Sequence, residues 1–355
     1  MGSEINTDNI KEQTTEQYMR RALELAYLGK GRVSPNPLVG CVIVKDGVII
    51  GEGWHQKAGE PHAEVNAVNS VKNPEDLKSA KMFVTLEPCA HHGRTPPCSD
   101  LIIKMGIPEV YIGCVDPFAQ VAGKGIQKLK NAGVITHVGI LEEECLHINR
   151  RFFTFHEKKR PYILLKWAES VDGYMDIERP NGETGSHPIS HPAASRLTHT
   201  WRAEEDAILI GAKTLRTDNP SLTTRKVDGS SPIPIVVTRS GDIDPSSALL
   251  QNPKTLVFSK NTSEESDNPN YTEIHFSDWE NLYSKLYERD IQSVLVEGGR
   301  EILQSHIDAG MYDEIRIWTS PNTLEKGLPS PTTPPLEYSQ SAMGPDILRT
   351  HLSNG

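Results

Sequence analysis

The chain has 355 residues, of which 37% are hydrophobic and 24% charged, with a formal net charge of −10. That length exceeds one typical core and points to two domains, and an acidic balance without a basic stripe or RNA-binding aromatic motif argues against nucleic acid and for a small-molecule substrate. No apolar run reaches the length of a membrane span, and five sparse cysteines (Cys41, Cys89, Cys98, Cys114, Cys145) suit a reducing cytoplasm better than a disulfide framework.

Met1 to Glu12 is polar and lacks an apolar core, so it reads as neither signal peptide nor anchor. Residues 1–13 are expected as a flexible extension. Tyr18, Ala22, Leu25 and Ala26 recur at helical spacing and predict a helix from about Glu16 to Leu28. Ser34-Pro35-Asn36-Pro37 is loop by composition; Asn36 is either a turn residue or an amide offered to a base edge. Strands Val39 to Val44 and Val48 to Ile50 meet at Asp46-Gly47, a strong hairpin signal.

Next comes the run His62-Ala63-Glu64, followed by Pro88-Cys89 and then Cys98. It offers one imidazole, one free carboxylate and two thiolates. Catalytic zinc keeps three protein ligands and leaves its fourth position to water, whose pKa it lowers toward neutrality. Glu64 would move the proton without occupying the metal. The H-x-E…P-C…C order is that of zinc-dependent nucleobase deaminases. Pro61 and the spacing of Val65, Val68 and Val71 predict a helix whose first turn carries His62 and Glu64. Met82 to Leu86 is a predicted strand, and Glu87-Pro88-Cys89 is expected to open a second helix. The insert between the cysteines, Ala90 to Pro97, is longer than the usual two residues and brings His91 and His92 as weaker rival ligands. A helix after Cys98, strand Val110 to Gly113 and helix Lys124 to Ala132 complete a mixed sheet covered by helices.

The charged stretch from Glu142 to Arg160 reads as a boundary near residues 150–160. Beyond it, strands are predicted at Tyr162 to Lys166, Ala207 to Gly211, Ile233 to Thr238, Thr255 to Ser259, Ser293 to Glu297 and, last, Glu314 to Trp318. Helices intervene at about Pro192 to Arg202, Asp278 to Arg289 and Arg300 to Ala309, which makes a second α/β domain. Residues 260–272 and 328–345 read as long surface loops. There is no G-x-G-x-x-G, but Glu297-Gly298-Gly299 ends a strand before a helix, where backbone amides approach a pyrophosphate.

Taken together, the two halves resemble the bifunctional riboflavin-biosynthesis deaminase–reductase family over about residues 14–350. In the first half the resemblance rests on Pro35 to Gly40, His55, Gly59 to Glu64, Thr85 to Cys89 and Pro97-Cys98; the long insert between the cysteines is itself a family feature. In the second it rests on Lys166-Trp167-Ala168, Ser170 to Gly173, Arg202, Asp206 to Ile208, Thr214, Asp218, Pro220 to Thr223, Arg225 and Glu297 to Gly299.

The resemblance implies a zinc-dependent deaminase domain over residues 14–150, with a cytidine-deaminase-like mixed sheet and flanking helices. It also implies a dihydrofolate-reductase-like, NADPH-dependent domain over residues 160–355. His62, Cys89 and Cys98 would hold zinc and Glu64 would be catalytic. Ala168, Thr214, Asp218, Gly298 and Gly299 would line the cofactor site; Asn36, Ser186, Arg202, Leu222, Arg225 and Glu297 would hold the substrate. The implied reactions are deamination of 2,5-diamino-6-(5-phosphoribosylamino)pyrimidin-4(3H)-one and reduction of its ribosyl group to ribityl. Lys166 and Asp172 are candidate proton donors by location. The sequence departs from the family in lacking a tryptophan within Gly182 to Pro188 and in carrying Tyr174-Met175-Asp176 after Asp172-Gly173. The expected partner is a small phosphorylated pyrimidine, with no nucleic acid or membrane, in a homo-oligomer. A nucleoside or tRNA-base deaminase with an unrelated second domain, and a non-catalytic zinc module, are the competing readings; Glu64 argues against the latter.

Overall fold

Cys41 to Val44 forms an unbroken buried run and becomes the inner strand of the first sheet. The computed structural model describes residues 7–90, 96–117, 122–180, 182–241, 243–262 and 266–353. The chain divides into two compact units, Met1–Lys158 and Lys159–Gly355.

The first unit runs α1 (Thr7–Tyr27), β1 (Gly40–Lys45), β2 (Val48–Trp54), α2 (Ala63–Ser70), β3 (Lys81–Leu86), α3 (Cys98–Met105), β4 (Glu109–Cys114), α4 (Lys124–Asn131), β5 (Ile135–Val138), α5 (Glu142–Ile148) and α6 (Arg150–Lys158). Its sheet has the order β2-β1-β3-β4-β5; β1 is antiparallel to both neighbours, and β3, β4 and β5 are parallel. Asp46 and Gly47 both take positive φ, 49° and 78°, as the tight turn between β1 and β2 requires. Ala67, Val84, Ile102, Ile112 and Leu129 build the core on one face of the sheet. On the other face Ala22, Leu25, Val42, Phe83 and Ile148 pack together.

Several expectations are corrected. Helix α1 starts at Thr7, nine residues before the predicted Glu16. Residues 1–6 lie outside those described. The units divide after Lys158, inside the expected 150–160, and the charged stretch from Glu142 forms two helices, α5 and α6. Their charges mask an apolar stripe of Cys145, Ile148, Phe152 and Phe155, all buried.

The second unit runs β6 (Tyr162–Ser170), β7 (Tyr174–Ile177), α7 (Pro192–Glu204), β8 (Ala207–Gly211), α8 (Ala212–Asp218), β9 (Ile233–Thr238), β10 (Leu256–Ser259), β11 (Ser266–Asn268), β12 (Tyr271–His275), α9 (Trp279–Tyr287), β13 (Ser293–Gly298), α10 (Arg300–Asp308), β14 (Glu314–Ser320), β15 (Gly327–Pro329), β16 (Ser339–Met343) and β17 (Asp346–Leu352). The main sheet has the order β11-β12-β10-β9-β8-β13-β6-β14-β17-β16. Its strands from β12 to β14 are parallel and covered on both faces, which is why Ala207–Gly211 is apolar throughout. Glu314 to Trp318 is not the last strand. The expected loop at 328–345 contains β16, and β16 pairs antiparallel with β17 to close that edge. The loop expected at 260–272 likewise carries β11 and the start of β12.

One buried group in this unit makes stability depend on pH. His306 is fully buried; Tyr283 Oη donates to its Nε2 at 2.7 Å, and its Nδ1 donates to Ile302 O at 2.7 Å. Burial pushes the imidazole down to about 4. Above an unfolded pKa of about 6.5 neither state is charged; below it the unfolded chain gains a proton that the folded one refuses until about pH 4. Stability is therefore expected to fall between those values by about 3 kcal/mol. Denaturant titrations at pH 7 and 5 check this. In His306→Gln, whose amide oxygen still accepts from Tyr283, that loss should be absent.

Candidate active sites

In the first unit, His62 is not inside a helix but is the N-cap of α2, with extended backbone (φ −69°, ψ 164°), and Pro61 precedes the cap. Glu64 follows in the first turn. The second helix expected at Cys89 is also corrected: α3 begins at Cys98, and Cys89 lies in irregular chain. The Glu87 carboxylate accepts from the start of α4, and the next helix opens only at Cys98.

The structure brings His62, Cys89 and Cys98 together, with their ligand atoms all within 4.8 Å of one another. His62 Nδ1 lies 3.3 Å from Cys98 Sγ and 3.7 Å from Cys89 Sγ, and the Cys98 N–H donates to Cys89 Sγ at 3.3 Å. Tetrahedral zinc with the usual Zn–N and Zn–S bonds needs nitrogen–sulfur edges of about 3.5 Å. The donor set and spacing therefore fit zinc. The Cys98 thiol bonds to Cys89 and pushes it down to about 4, with His62 assisting, while the same contact pushes Cys98 up. The hydrogen bond with Cys89 raises His62. His91 and His92 lie outside the described residues.

Glu64 is 3% exposed, and burial first, then the charge of Cys89, raises its carboxyl. A buried carboxyl beside a metal site is suited to proton transfer. Asn36 reaches the same region through His55: Asn36 Nδ2 is 3.0 Å from His55 Nε2, and His55 Nδ1 is 3.1 Å from Pro61 O. The His55 and His62 rings meet edge-on, 5.6 Å apart. Two residues of this framework escaped sequence reasoning. Asn149 binds both backbone groups of Leu38, at 2.7 and 2.8 Å, and so anchors the Asn36 loop. Glu87 was legible only as part of a motif, not as a carboxylate that binds backbone.

In the second unit Glu297, Gly298 and Gly299 lie at the end of β13, with Arg202 and Thr214 against them. Glu297 takes two hydrogen bonds from Arg202, Nε at 3.1 Å and Nη2 at 2.6 Å. Burial works to raise the Glu297 carboxyl, but Lys166 and Arg202 outweigh it and hold it down to about 2. Burial also lowers Lys166, against the attraction of Glu297. Asp172, the other candidate proton donor, instead has its carboxyl lowered, first by a hydrogen bond from the Ser170 side chain and then by the backbone N–H groups of Leu324 and Glu325, from which it accepts. It is an anchor, held ionised, and a poor acid.

Gly298 and Gly299 are required by close approach. A Cβ on Gly298 would lie 2.5 Å from Ile210 Cα, and one on Gly299, where φ is +71°, would lie 2.8 Å from Thr214 Oγ1. The structure thus joins Thr214 to the Gly-Gly turn. Asp218 ends α8, where burial and Asp176 raise its carboxyl, and Arg179 pairs with Asp176. Gly185 N donates to Thr217 O at 2.7 Å, which brings the exposed Ser186 segment to the same helix end. Ala168 lies on β6, beside Trp318 of β14. Leu222 is buried at φ +50°. Arg225 is exposed; its N–H donates to His199 Nδ1 at 3.3 Å, one turn of α7 from Arg202. A cavity of about 640 Å³ opens beside Arg225 and Lys226 and is also lined by Ser195, Asn322 and Asp346.

A His-Cys-Cys cluster beside a buried glutamate has the make-up of a zinc-type deaminase, and the chain carries with it a second, parallel α/β unit with a Gly-Gly turn. Residues 12–114 match the cytidine and deoxycytidylate deaminase zinc-binding region, and residues 161–336 match the RibD C-terminal domain. The chain is 38% identical to the riboflavin biosynthesis protein RibD of Aquifex aeolicus over 322 residues, 88% of each chain. It is 37% identical to that of Escherichia coli over 330 residues, 87% of this chain and 88% of that one. Acinetobacter baumannii RibD superposes with a TM-score of 0.87 at 32% identity, covering 96% of this chain and 99% of that one. A diaminohydroxyphosphoribosylaminopyrimidine deaminase/5-amino-6-(5-phosphoribosylamino)uracil reductase from Thermotoga maritima gives 0.85 at 37% identity, with the same coverage. The chain belongs to the RibD family of riboflavin-biosynthesis enzymes and is a bifunctional deaminase and reductase. Among the described residues no helix is long and apolar enough to cross a membrane.

Proposed function

We propose that the first unit deaminates 2,5-diamino-6-(5-phosphoribosylamino)pyrimidin-4(3H)-one to 5-amino-6-(5-phosphoribosylamino)uracil, and that the second reduces the ribosyl side chain of that product to ribityl with NADPH. The observation that carries the first step is the convergence of His62, Cys89 and Cys98 beside the buried Glu64. Zinc on those three atoms would supply an acidified water. Glu64 would act as base and then acid, relaying one proton of that water to the ring nitrogen and the second, from the added hydroxyl, to the departing amine. Asn36 donates Nδ2 to His55, which leaves its Oδ1 for the pyrimidine edge.

In the second unit Ala168, Thr214, Asp218 and the Gly298-Gly299 turn would hold NADPH, which supplies the hydride. Ser186, Arg202, Leu222, Arg225 and Glu297 hold the pyrimidine product; Arg225 and its neighbour Lys226 offer cations to the phosphate. Lys166, half-buried and lowered beside Glu297, is the better placed proton donor for opening the sugar ring. The working assembly is expected to be a cytoplasmic homo-oligomer, and sedimentation of the purified protein checks its size.

Incubation of the purified protein with the diaminopyrimidine phosphate, with and without NADPH, tests the scheme by mass. Without NADPH only the deaminated product should accumulate, and with it the ribityl compound. Deamination of cytidine or RNA in place of that substrate would favour the competing deaminase reading. Cys98→Ser should lose most of the zinc found in wild type by elemental analysis. Stoichiometric zinc in Cys98→Ser, with zinc lost from His91→Ala, would overturn the ligand assignment.

A further inference from the structure

Glu87 is a buried carboxylate, 4% exposed, two residues before Cys89. Its acceptors are taken up by main-chain N–H groups. Oε1 accepts from Gly125 at 2.8 Å and Ile126 at 3.2 Å; Oε2 accepts from Gly123 at 2.9 Å and, more weakly, from Asp116 at 3.4 Å. Gly123 is the N-cap of α4, so these donors include N–H groups that a helix start leaves without intrahelical partners. The carboxylate also sits at the positive end of that helix. A Cβ on Gly125 would lie 1.9 Å from Pro88 O, so α4 touches the peptide immediately before Cys89. On the other side, the Glu87 N–H donates to Cys114 O at 3.0 Å and continues the β3–β4 pairing past Leu86.

We propose that Glu87 is a positioning residue for Cys89: clamped between β4 and the start of α4, it fixes the Pro88-Cys89 turn so that Cys89 Sγ faces His62 Nδ1. The inference rests on the reading of His62, Cys89 and Cys98 as the zinc ligands. Glutamine is an informative replacement. Whichever way its amide turns, an NH₂ group faces N–H donors where an oxygen stood, so one side of the clamp opens while the shape is kept. Gly125→Ala opens it from the other side by pushing on Pro88 while Glu87 keeps its charge.

The test uses full-length, zinc-loaded Glu87→Gln and Gly125→Ala. Release of zinc to a chromogenic chelator is timed, and the thiolate-to-metal absorption of the cobalt-substituted proteins is recorded, with no pyrimidine present. Groups that orient metal ligands are typically worth about 10–100-fold in metal affinity. Release should accelerate on that scale in both variants, with an altered cobalt spectrum, while circular dichroism and the reductase rate stay at wild-type values. Unchanged zinc release and an unchanged cobalt spectrum in both variants overturn the clamp. Loss of the folded signal in both shows the contact to be structural only, and overturns it too. Wild-type protein that binds no zinc refutes the ligand reading and takes the clamp with it, a result distinct from normal zinc release in the variants.

Discussion

Glu64→Gln is expected to keep its zinc and its fold while deamination falls by about 10²–10⁴-fold. The side chain is 3% exposed, so an amide of the same shape leaves the packing unchanged. It lies outside the His62–Cys89–Cys98 cluster, so the metal-binding atoms remain. What is lost is a group that can take up and return a proton. Reduction of separately prepared deaminated substrate by the same variant should proceed at the wild-type rate, since that chemistry is assigned to residues of the other unit. Deamination within a few-fold of wild type, with zinc bound, would remove Glu64 from the catalytic role.

The legibility of this site in the sequence has a physical basis. His62 and Glu64 are two residues apart at a helix start, and Cys89 and Cys98 bracket one insert, so local spacing carries the cluster. The helix expected after Cys98 forms, while the one expected at Cys89 does not: Pro88 reads as a helix opener, whereas the carboxylate beside it binds the backbone of α4. Asn149 and Leu38 are 111 residues apart and meet through one amide and one peptide, a pairing that leaves no periodicity.

The fold divides in the same way. Parallel strands such as Ala207–Gly211 announce themselves as apolar runs because both faces are covered. The edge strand β16, Ser-Gln-Ser-Ala-Met, is exposed along most of its length, so no hydrophobic alternation marks it. Helices α5 and α6 were hidden by the charges on their outer faces. In the second unit, the Glu297–Gly299 turn is visible as strand-Gly-Gly-helix, but the packing of Thr214 against Gly299 needed the close approach itself.

Arg202→Ala is expected to destabilise the second unit by about 3–5 kcal/mol, because removing one partner of a buried ion pair leaves the other charge uncompensated. The side chains of Arg202 and Glu297 are 13% and 10% exposed, and both guanidinium contacts to the carboxylate are lost together. Lys166 remains beside Glu297 and offsets part of the cost, which places the effect toward the lower end. Chemical denaturation of the full chain, followed by a probe in the second unit, gives the value. The double variant Arg202→Ala/Glu297→Gln should be less destabilised than the sum of the single variants, since the stranded charge is then gone. Function separates this ion pair from a purely structural one: at substrate concentrations where Arg202→Ala remains folded, its reductase KM should rise more than its affinity for NADPH falls. Additive stabilities in the cycle, together with an unchanged KM, would mean that Arg202 neither balances Glu297 nor holds the substrate.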